Sequence, residues 1–228
     1  INENYKFIFN GRVDRIDILD SNGNKFVKII DYKTGNRKFE LSDIYYGMQM
    51  QMLIYLNNIL KNNDYFKVNE DHTKLLPGGI LYFKVQDPII DLNEELSKEE
   101  IEKLILQKFR MSGILLENND VIKALDCNLN KKSDVIPVSV NSDGTYSKTS
   151  SIVEEKIFKN IMDYTIKKVK NIGSNIISGN VSPIPYKKEN KNACLNCNYK
   201  SICSFDENNK KVFKYNNFNK IDLCGEIG

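Results

Sequence analysis

Two aspartates and a lysine near the start of the sequence have types and spacing that indicate metal-dependent chemistry. They are Asp14, in Gly-Arg-Val-Asp, and Asp31 and Lys33, in Asp-Tyr-Lys. Carboxylate oxygens suit Mg²⁺ and Mn²⁺, and a metal held by them polarises a phosphate and lowers the pKa of a bound water. A neighbouring lysine orients that water or neutralises the charge that develops on the phosphorane. These residues therefore predict the hydrolysis of phosphodiester bonds.

An Asn-Gly pair predicts the hairpin that brings these three residues together. Asn22-Gly23 lies between two β-rich segments and favours a two-residue type I′ turn. In the resulting register, Ser21 pairs with Asn24 and each further pair follows in order, so Asp14 lies directly opposite Asp31. Opposed residues project from the same face with their Cβ atoms about 5 Å apart. Lys33 shares this face because side chains alternate along a strand.

The same register assigns different roles to the other residues of the hairpin. Asp17 opposes Lys28 on the other face, where a cross-strand ion pair explains its charge. Two opposed carboxylates repel each other unless a cation lies between them, so Asp14 and Asp31 together predict a metal site. The alternative is a surface hairpin with ordinary charges. Two cross-strand pairs form an apolar floor beside the acidic pair: Ile16 with Ile29, and Ile18 with Val27.

Gln51 and Tyr55 are four residues apart, and therefore one turn apart on one face of a predicted helix. A glutamine and a tyrosine in this arrangement can hold a phosphate or a base near the metal. The alternative is an amphipathic helix with one buried tyrosine. The nearby methionines Met48, Met50 and Met52 favour core packing.

The remaining sequence predicts irregularly alternating strands and helices, and hence an α/β or α+β fold with a mixed sheet. The predicted strands are 5–19, 25–33 and 79–85, and the predicted helices are 41–60, with Ser42 as N-cap, and 94–109. The stretch 110–149 has a mixed pattern. A capping box from Ser151 to Glu154 predicts a further helix with Val153, Ile157, Ile161 and Tyr164 on one face.

Composition restricts the class of protein. The 228 residues are 41% hydrophobic and 28% charged, which suits one large folded domain or two small ones and excludes a disordered chain. Because no membrane-spanning or secretory segment is apparent, we expect a cytoplasmic protein without membrane partners. The net charge of +3 neither requires nor excludes nucleic acid. The lysine-rich stretch 187–220 is either a solvated tail or a set of phosphate contacts.

Three of the five cysteines are clustered, which indicates a metal site in a reducing compartment rather than a disulfide framework. Cys194, Cys197 and Cys203 have C-x2-C-x5-C spacing, which suits zinc as well as an iron–sulfur cluster. Cys127 and Cys224 lie apart from them. His72 is the only histidine, so a histidine-rich zinc hydrolase is hard to build.

The motifs GRVDRID, IIDYKTG and YYGMQMQMLIYL, in this order, resemble the RecB-type nucleases of the PD-(D/E)xK superfamily. Asp14 matches the first aspartate of the family pattern, Asp31 and Lys33 match D-x-K, and Gln51 and Tyr55 match Q-x-x-x-Y. With the cysteine triplet behind them, the motifs are similar to the nuclease domains of the AddB family.

The resemblance implies a restriction-endonuclease-like core in a single nuclease domain over 1–228. Its parts would be a catalytic hairpin, helix and strand (1–86), an insertion-like segment (87–150), a helix (151–180) and a cysteine segment (187–210). It also implies Mg²⁺ or Mn²⁺ held by the two aspartates and the backbone carbonyl of Tyr32. The family pattern places a histidine and a fourth cluster cysteine before Ile1, so we expect an excised domain with an incomplete or absent 4Fe–4S cluster.

The resemblance further implies the biological setting. AddB-type subunits pair with an AddA-like helicase/nuclease subunit and act as exonucleases on DNA ends during recombinational repair of double-strand breaks. Two alternatives stay open from the sequence. One is an iron–sulfur nuclease of CRISPR spacer acquisition, against which the long segment 86–150 argues. The other is a catalytically silent DNA-binding scaffold stapled by zinc or iron–sulfur, against which the intact acidic pair and lysine argue.

Overall fold

A tight hairpin leads the fold, with β1 (Arg15–Ser21) joined to β2 (Asn24–Lys33) by Asn22 and Gly23. Both turn residues have positive φ, 50° and 73°, as a type I′ turn requires. The pairs from Ser21–Asn24 to Arg15–Ile30 confirm the predicted register. The computed structural model describes residues 5–6, 8–35, 38–62, 74–89, 96–182, 184–188, 191–203 and 213–214.

The first strand is shorter than predicted, because it begins at Arg15 and not near residue 5. Before Arg15 the chain leaves the strand ladder, and Val13 packs against the core while Gly11 lies under a helix side chain. The apolar floor is only half as predicted. Val27 and Ile29 are fully buried, but their partners on β1 stay partly exposed, since β1 is an edge strand of its sheet.

Within the described residues, β2 continues into a five-stranded mixed sheet with the order β1-β2-β3-β4-β5. The added strands are β3 (Lys74–Lys84), β4 (Ser112–Leu116) and β5 (Ile152–Val153). β3 runs parallel to β2, β4 antiparallel to β3, and β5 parallel to β4. The sheet and its helices confirm the predicted α/β class with a mixed sheet. β4 comes from the stretch 110–149, whose pattern did not predict a strand.

Helices pack on both faces of this sheet. The described helices are α1 (Leu41–Tyr45), α2 (Gln51–Lys61), α3 (Lys98–Lys108), α4 (Asn119–Leu125), α5 (Glu155–Ile177) and α6 (Lys200–Cys203). One sheet face packs against α2 and α5 around Met52, Leu53, Leu56, Phe158 and Ile161. The other face packs against α4 and the loop that follows it, through Ile122, Ile136 and Val138. No helix in the described ranges has the length and apolar character that a membrane crossing needs.

The single helix predicted over 41–60 is wrong. The chain forms α1 and α2 with a break between them, where Gly47 and Gln49 have positive φ values of 87° and 52°. The predicted N-cap is also wrong, because Ser42 is buried within α1 and Glu40 takes the cap position. Of the three methionines, Met52 is fully buried, and Met48 and Met50 are half-buried.

The capping box predicted at Ser151 is wrong for a tertiary reason. Ile152 and Val153 pair with β4 as the strand β5, and the Ser151 carbonyl accepts a hydrogen bond of 2.9 Å from the Leu115 amide. α5 therefore begins at Glu155, with Ile161 buried and Tyr164 half-buried along one face. A true capping box opens α3 at Ser97, so the helix predicted over 94–109 begins at Lys98.

The cysteine-containing C-terminal part has a small sheet of its own among the described residues. It consists of β6 (Tyr186–Lys188), β7 (Lys191–Asn192) and β8 (Phe213–Lys214), with β6 in the middle. α6 follows β7 and ends at Cys203. The fold thus places the predicted catalytic hairpin in the main sheet and the cysteines after it.

Candidate active site

Asp31 is the buried acidic group of the site. It lies near the end of β2 on the face that α2 and α5 cover, and only 8% of the residue is exposed. The Lys33 ammonium forms an ion pair with Asp31 Oδ2 and lies 5.7 Å from the ring centroid of Tyr82. Among the described residues, this oxygen nevertheless accepts no hydrogen bond of good geometry. A buried carboxylate oxygen in this condition is available to a cation.

Asp14 lies in a bend directly before β1, at the position that the register sets opposite Asp31. Its Oδ2 accepts a hydrogen bond of 3.0 Å from the backbone N–H of Tyr32. This contact holds the Asp14 carboxylate against the residue that follows Asp31. The second oxygen of Asp14 is left for another partner. The structure thus brings both predicted carboxylates and Lys33 to one end of the hairpin.

Tyr32 lies between the two D-x-K residues and contributes differently from the prediction. Its backbone N–H fixes Asp14, and its ring is 41% exposed and packs edge-on against Phe83 at 5.9 Å. The Arg15 guanidinium hydrogen-bonds to the Tyr32 side chain and to Asp17, and these bonds raise the pKa of Arg15. The predicted ligation of a metal by the Tyr32 carbonyl stays a prediction.

Asp17 forms the structural ion pair that the register predicts. Its carboxylate contacts Lys28 at 2.9 Å and Arg15 at 2.7 Å. Desolvation raises the pKa of Asp17, but the hydrogen bonds from Arg15 and Lys28 outweigh it and hold the pKa below its ordinary value. Asp17 is therefore a charged residue with satisfied partners, and it serves as an internal control for the acidic pair.

Gln51 and Tyr55 lie together at the start of α2. The Gln51 amide donates a hydrogen bond of 3.0 Å to the Tyr55 hydroxyl. The Tyr55 ring lies directly on Gly11, where an added Cβ would fall 2.0 Å from the hydroxyl oxygen. This contact joins α2 to the segment that leads into Asp14. The glycine of the Gly-Arg-Val-Asp motif thus allows Tyr55 to approach the backbone.

We expect Gly11→Ala to lower DNA cleavage by roughly tenfold, because the new methyl group displaces Tyr55 and misplaces a group near the reacting bond. A Gly35→Ala variant is the matched control, since a Cβ at Gly35 meets nothing within 4 Å. Cleavage rates of both variants on a labelled oligonucleotide give the comparison. Equal rates for the two variants would show that the Tyr55 position is irrelevant to the chemistry.

Sequence reasoning missed Tyr82, which lies beside Asp31 in the parallel β2–β3 register. The predicted strand over 79–85 contains Tyr82, but its partner strand and register were unknown. A signal was present, because Ile80-Leu81-Tyr82-Phe83-Lys84 repeats the pattern of Ile29-Ile30-Asp31-Tyr32-Lys33. The two segments pair residue for residue, and Lys84 lies beside Lys33.

The three clustered cysteines are free thiols in the structure. Cys197 and Cys203 are exposed and Cys194 is half-buried. Across the described part of the chain, no group of three or more His, Cys, Asp or Glu side chains converges as metal ligands do. The described geometry therefore does not fit a 4Fe–4S or zinc site. Cys127 is exposed, while His72 and Cys224 lie outside the described residues.

The oxygens of Asp14 and Asp31, by contrast, fit a divalent cation. Both are hard ligands, and the unsatisfied Oδ2 of Asp31 is the kind of atom that a metal would contact. Lys33 is close enough to share that carboxylate and to act on a phosphate bound beside it.

An acidic pair and a lysine at the ends of two paired strands, in a mixed sheet with helices on both faces, define a metal-dependent nuclease of the PD-(D/E)XK class. The sequence model of the PD-(D/E)XK nuclease superfamily matches residues 2–204. The chain belongs to this superfamily.

Its curated relatives share one name, which denotes the AddB component of an ATP-dependent helicase/deoxyribonuclease. The chain is 39% identical over 212 residues to the protein of Caldanaerobacter subterraneus subsp. tengcongensis, covering 93% of this chain and 18% of the relative. It is 40% identical over 213 residues to the protein of Alkaliphilus oremlandii, covering 92% and 18%. For Clostridium acetobutylicum the values are 37% over 225 residues, 97% and 18%. The chain thus spans less than a fifth of the length of these relatives.

Proposed function

We propose that this chain hydrolyses phosphodiester bonds of DNA as the nuclease module of an AddB-type helicase/deoxyribonuclease component. The observation that carries the proposal is the buried Asp31 oxygen, which contacts Lys33 but lacks a well-oriented hydrogen bond. A purely structural ion pair would have both carboxylate oxygens hydrogen-bonded, as a buried carboxylate normally does. Asp14, fixed by the Tyr32 amide, adds the second carboxylate.

Each residue has a role that follows from its position. Asp14 and Asp31 would hold Mg²⁺ or Mn²⁺, which polarises the phosphate and lowers the pKa of a bound water. Lys33 orients the attacking water and neutralises negative charge that develops on the phosphate oxygens. The Gln51 amide and the Tyr55 hydroxyl position the substrate, since their hydrogen bond holds both groups in one orientation.

The names of the relatives support a larger setting. We propose that the chain acts within a long polypeptide that pairs with an AddA-like helicase/nuclease partner. Its substrate would be DNA, which it would cut as an exonuclease at broken ends during recombinational repair in the bacterial cytoplasm. The lysines of the C-terminal segment would then contribute phosphate contacts, and DNA binding would weaken with salt.

A metal-removal experiment tests the catalytic part. Linear end-labelled DNA is incubated with the chain in a chelator, and then with added Mg²⁺, Mn²⁺ or Ca²⁺. We expect no cleavage in the chelator and cleavage with Mg²⁺ or Mn²⁺, because the carboxylates alone supply no electrophile. DNA binding that persists under every condition without any cleavage would instead support the silent scaffold.

A further inference from the structure

A cavity of about 260 Å³ opens on the active-site face of the main sheet. One wall is the segment before and within α1, the floor is β4, and the other wall is the loop before β5. Its lining residues are Phe39, Glu40, Leu41, Ser42, Gly113, Ile114 and 148–151. This cavity is called the β4 cavity below. Neither the acidic pair nor Lys33 belongs to its lining.

The β4 cavity lies beside the proposed catalytic residues. The sheet register sets Asp31 beside Tyr82, and Tyr82 beside Ser112, so these residues form a row across three strands. The Phe39 ring, which lines the cavity, lies 6.5 Å from the Tyr82 ring, centroid to centroid. Two strand spacings amount to about 10 Å. The cavity therefore begins within one or two nucleotide lengths of Asp31.

The far wall of the cavity is a fixed structure. The Ser151 carbonyl accepts a hydrogen bond of 2.9 Å from Leu115 on β4. The buried Ser150 hydroxyl donates to the Ser139 carbonyl and accepts from the Ser139 amide, both at 2.9 Å. A wall held in this way presents its side chains in a constant position, which reduces the ordering cost of binding.

The two walls carry opposite charge. Lys148 is exposed on the far wall, next to Thr149, and in the described part of the chain it forms no ion pair. Glu40 lies on the α1 wall, so an anion that enters the cavity is attracted to Lys148 and repelled by Glu40. The Thr149 hydroxyl contacts the Ser147 hydroxyl at 3.0 Å and has further capacity for a hydrogen bond.

We propose that the β4 cavity binds a backbone phosphate of the DNA strand that is being cut, one or two nucleotides from the cleaved bond. Lys148 contacts the phosphate, Thr149 donates a hydrogen bond to it, and the sugar packs against Phe39. The proposal rests on the proposed function, since it takes DNA as the ligand. It assigns a substrate-positioning role to a stretch that the motifs do not cover.

The test compares Lys148→Ala with Lys123→Ala, which removes the same charge from α4 on the opposite face of the sheet. Binding of a fluorescent single-stranded oligonucleotide is measured by anisotropy in a chelator, so that no cleavage is needed. We expect Lys148→Ala to weaken binding about tenfold more than Lys123→Ala. We also expect it to lower the salt-dependence slope by about 0.7, the contribution of one phosphate contact to a single strand.

A second measurement locates the contact. Oligonucleotides of about six nucleotides, each with one neutral methylphosphonate, are compared on the wild-type chain and on Lys148→Ala. We expect one position to weaken binding to the wild-type chain and to have no effect on Lys148→Ala. Identical interference profiles, or equal affinities for Lys148→Ala and Lys123→Ala, would overturn the cavity proposal.

The two proposals fail in different ways. If the chain cuts no DNA with any metal but shows the Lys148-specific interference, the phosphate site stands and the nuclease assignment fails. If the chain cuts DNA with Mg²⁺ while Lys148→Ala binds and cuts like Lys123→Ala, the nuclease assignment stands and the phosphate site is excluded.

Discussion

Replacing Asp31 by asparagine is expected to reduce the rate of DNA cleavage by about 1000-fold or more, because several kcal/mol of transition-state stabilisation depend on the metal that this carboxylate would hold. Asparagine has the same shape, so the packing beside Tyr82 is retained. Lys33, whose side chain is 26% exposed, can turn its ammonium toward water when its partner is neutral. The free energy of unfolding should therefore change little while activity is lost.

Asp17→Asn is the matched control, because it removes a carboxylate from the same hairpin on the opposite face. Asp17 is bound by Lys28 and Arg15, so its replacement should leave most of the cleavage rate. Single-turnover rates and circular dichroism of both variants separate loss of chemistry from loss of fold. An inactive Asp17→Asn together with an active Asp31→Asn would show that the catalytic face of the hairpin was assigned wrongly.

Asp14→Ala and Lys33→Ala belong to the same series, and each should abolish cleavage. Asp14 differs from Asp31 in one respect, since its carboxylate also holds the Tyr32 amide. Its replacement by alanine therefore removes a backbone contact as well as a proposed ligand. Asp14→Asn keeps an oxygen acceptor at that position, and the pair of variants distinguishes the two effects.

The hairpin could be predicted from the sequence because its register depends on local chemistry. Asn22 and Gly23 both adopt positive φ, and few other residue pairs tolerate this, so the turn and every pair up to Arg15–Ile30 follow from two residues. The opposition of Asp14 and Asp31 and the Asp17–Lys28 ion pair are consequences of that register. The mixed α/β class likewise followed from the alternation of elements.

Features that depend on distant contacts could not be predicted in this way. The pattern from Ser151 to Glu154 has the composition of a helix cap, but pairing with β4 satisfies the same backbone groups as a strand. The break between α1 and α2 at Gly47 was hidden by a continuous apolar pattern. The parallel pairing that sets Tyr82 beside Asp31 has no turn to fix its register, so the β4 cavity was not visible either.

Replacing Lys33 by alanine is expected to have two effects, of which the second distinguishes a buried charge pair from a surface one. Cleavage should be lost, because no cation remains to orient water or neutralise the phosphate. The free energy of unfolding should also fall by about 2–4 kcal/mol, since the Asp31 side chain, 11% exposed, is left as a buried anion without its partner. Urea unfolding curves measure this change.

The double variant Asp31→Asn/Lys33→Ala completes the argument, because it removes the anion as well as the cation. We expect it to recover most of the stability that Lys33→Ala loses, and none of the activity. Lys74→Ala provides the comparison for an exposed ion pair, since Lys74 and Glu155 are 66% and 52% exposed at 3.2 Å. That variant should change stability by less than about 1 kcal/mol. A Lys33→Ala variant as stable as Lys74→Ala would mean that the Asp31 carboxylate reaches water, and the buried oxygen on which the metal site rests would then have to be abandoned.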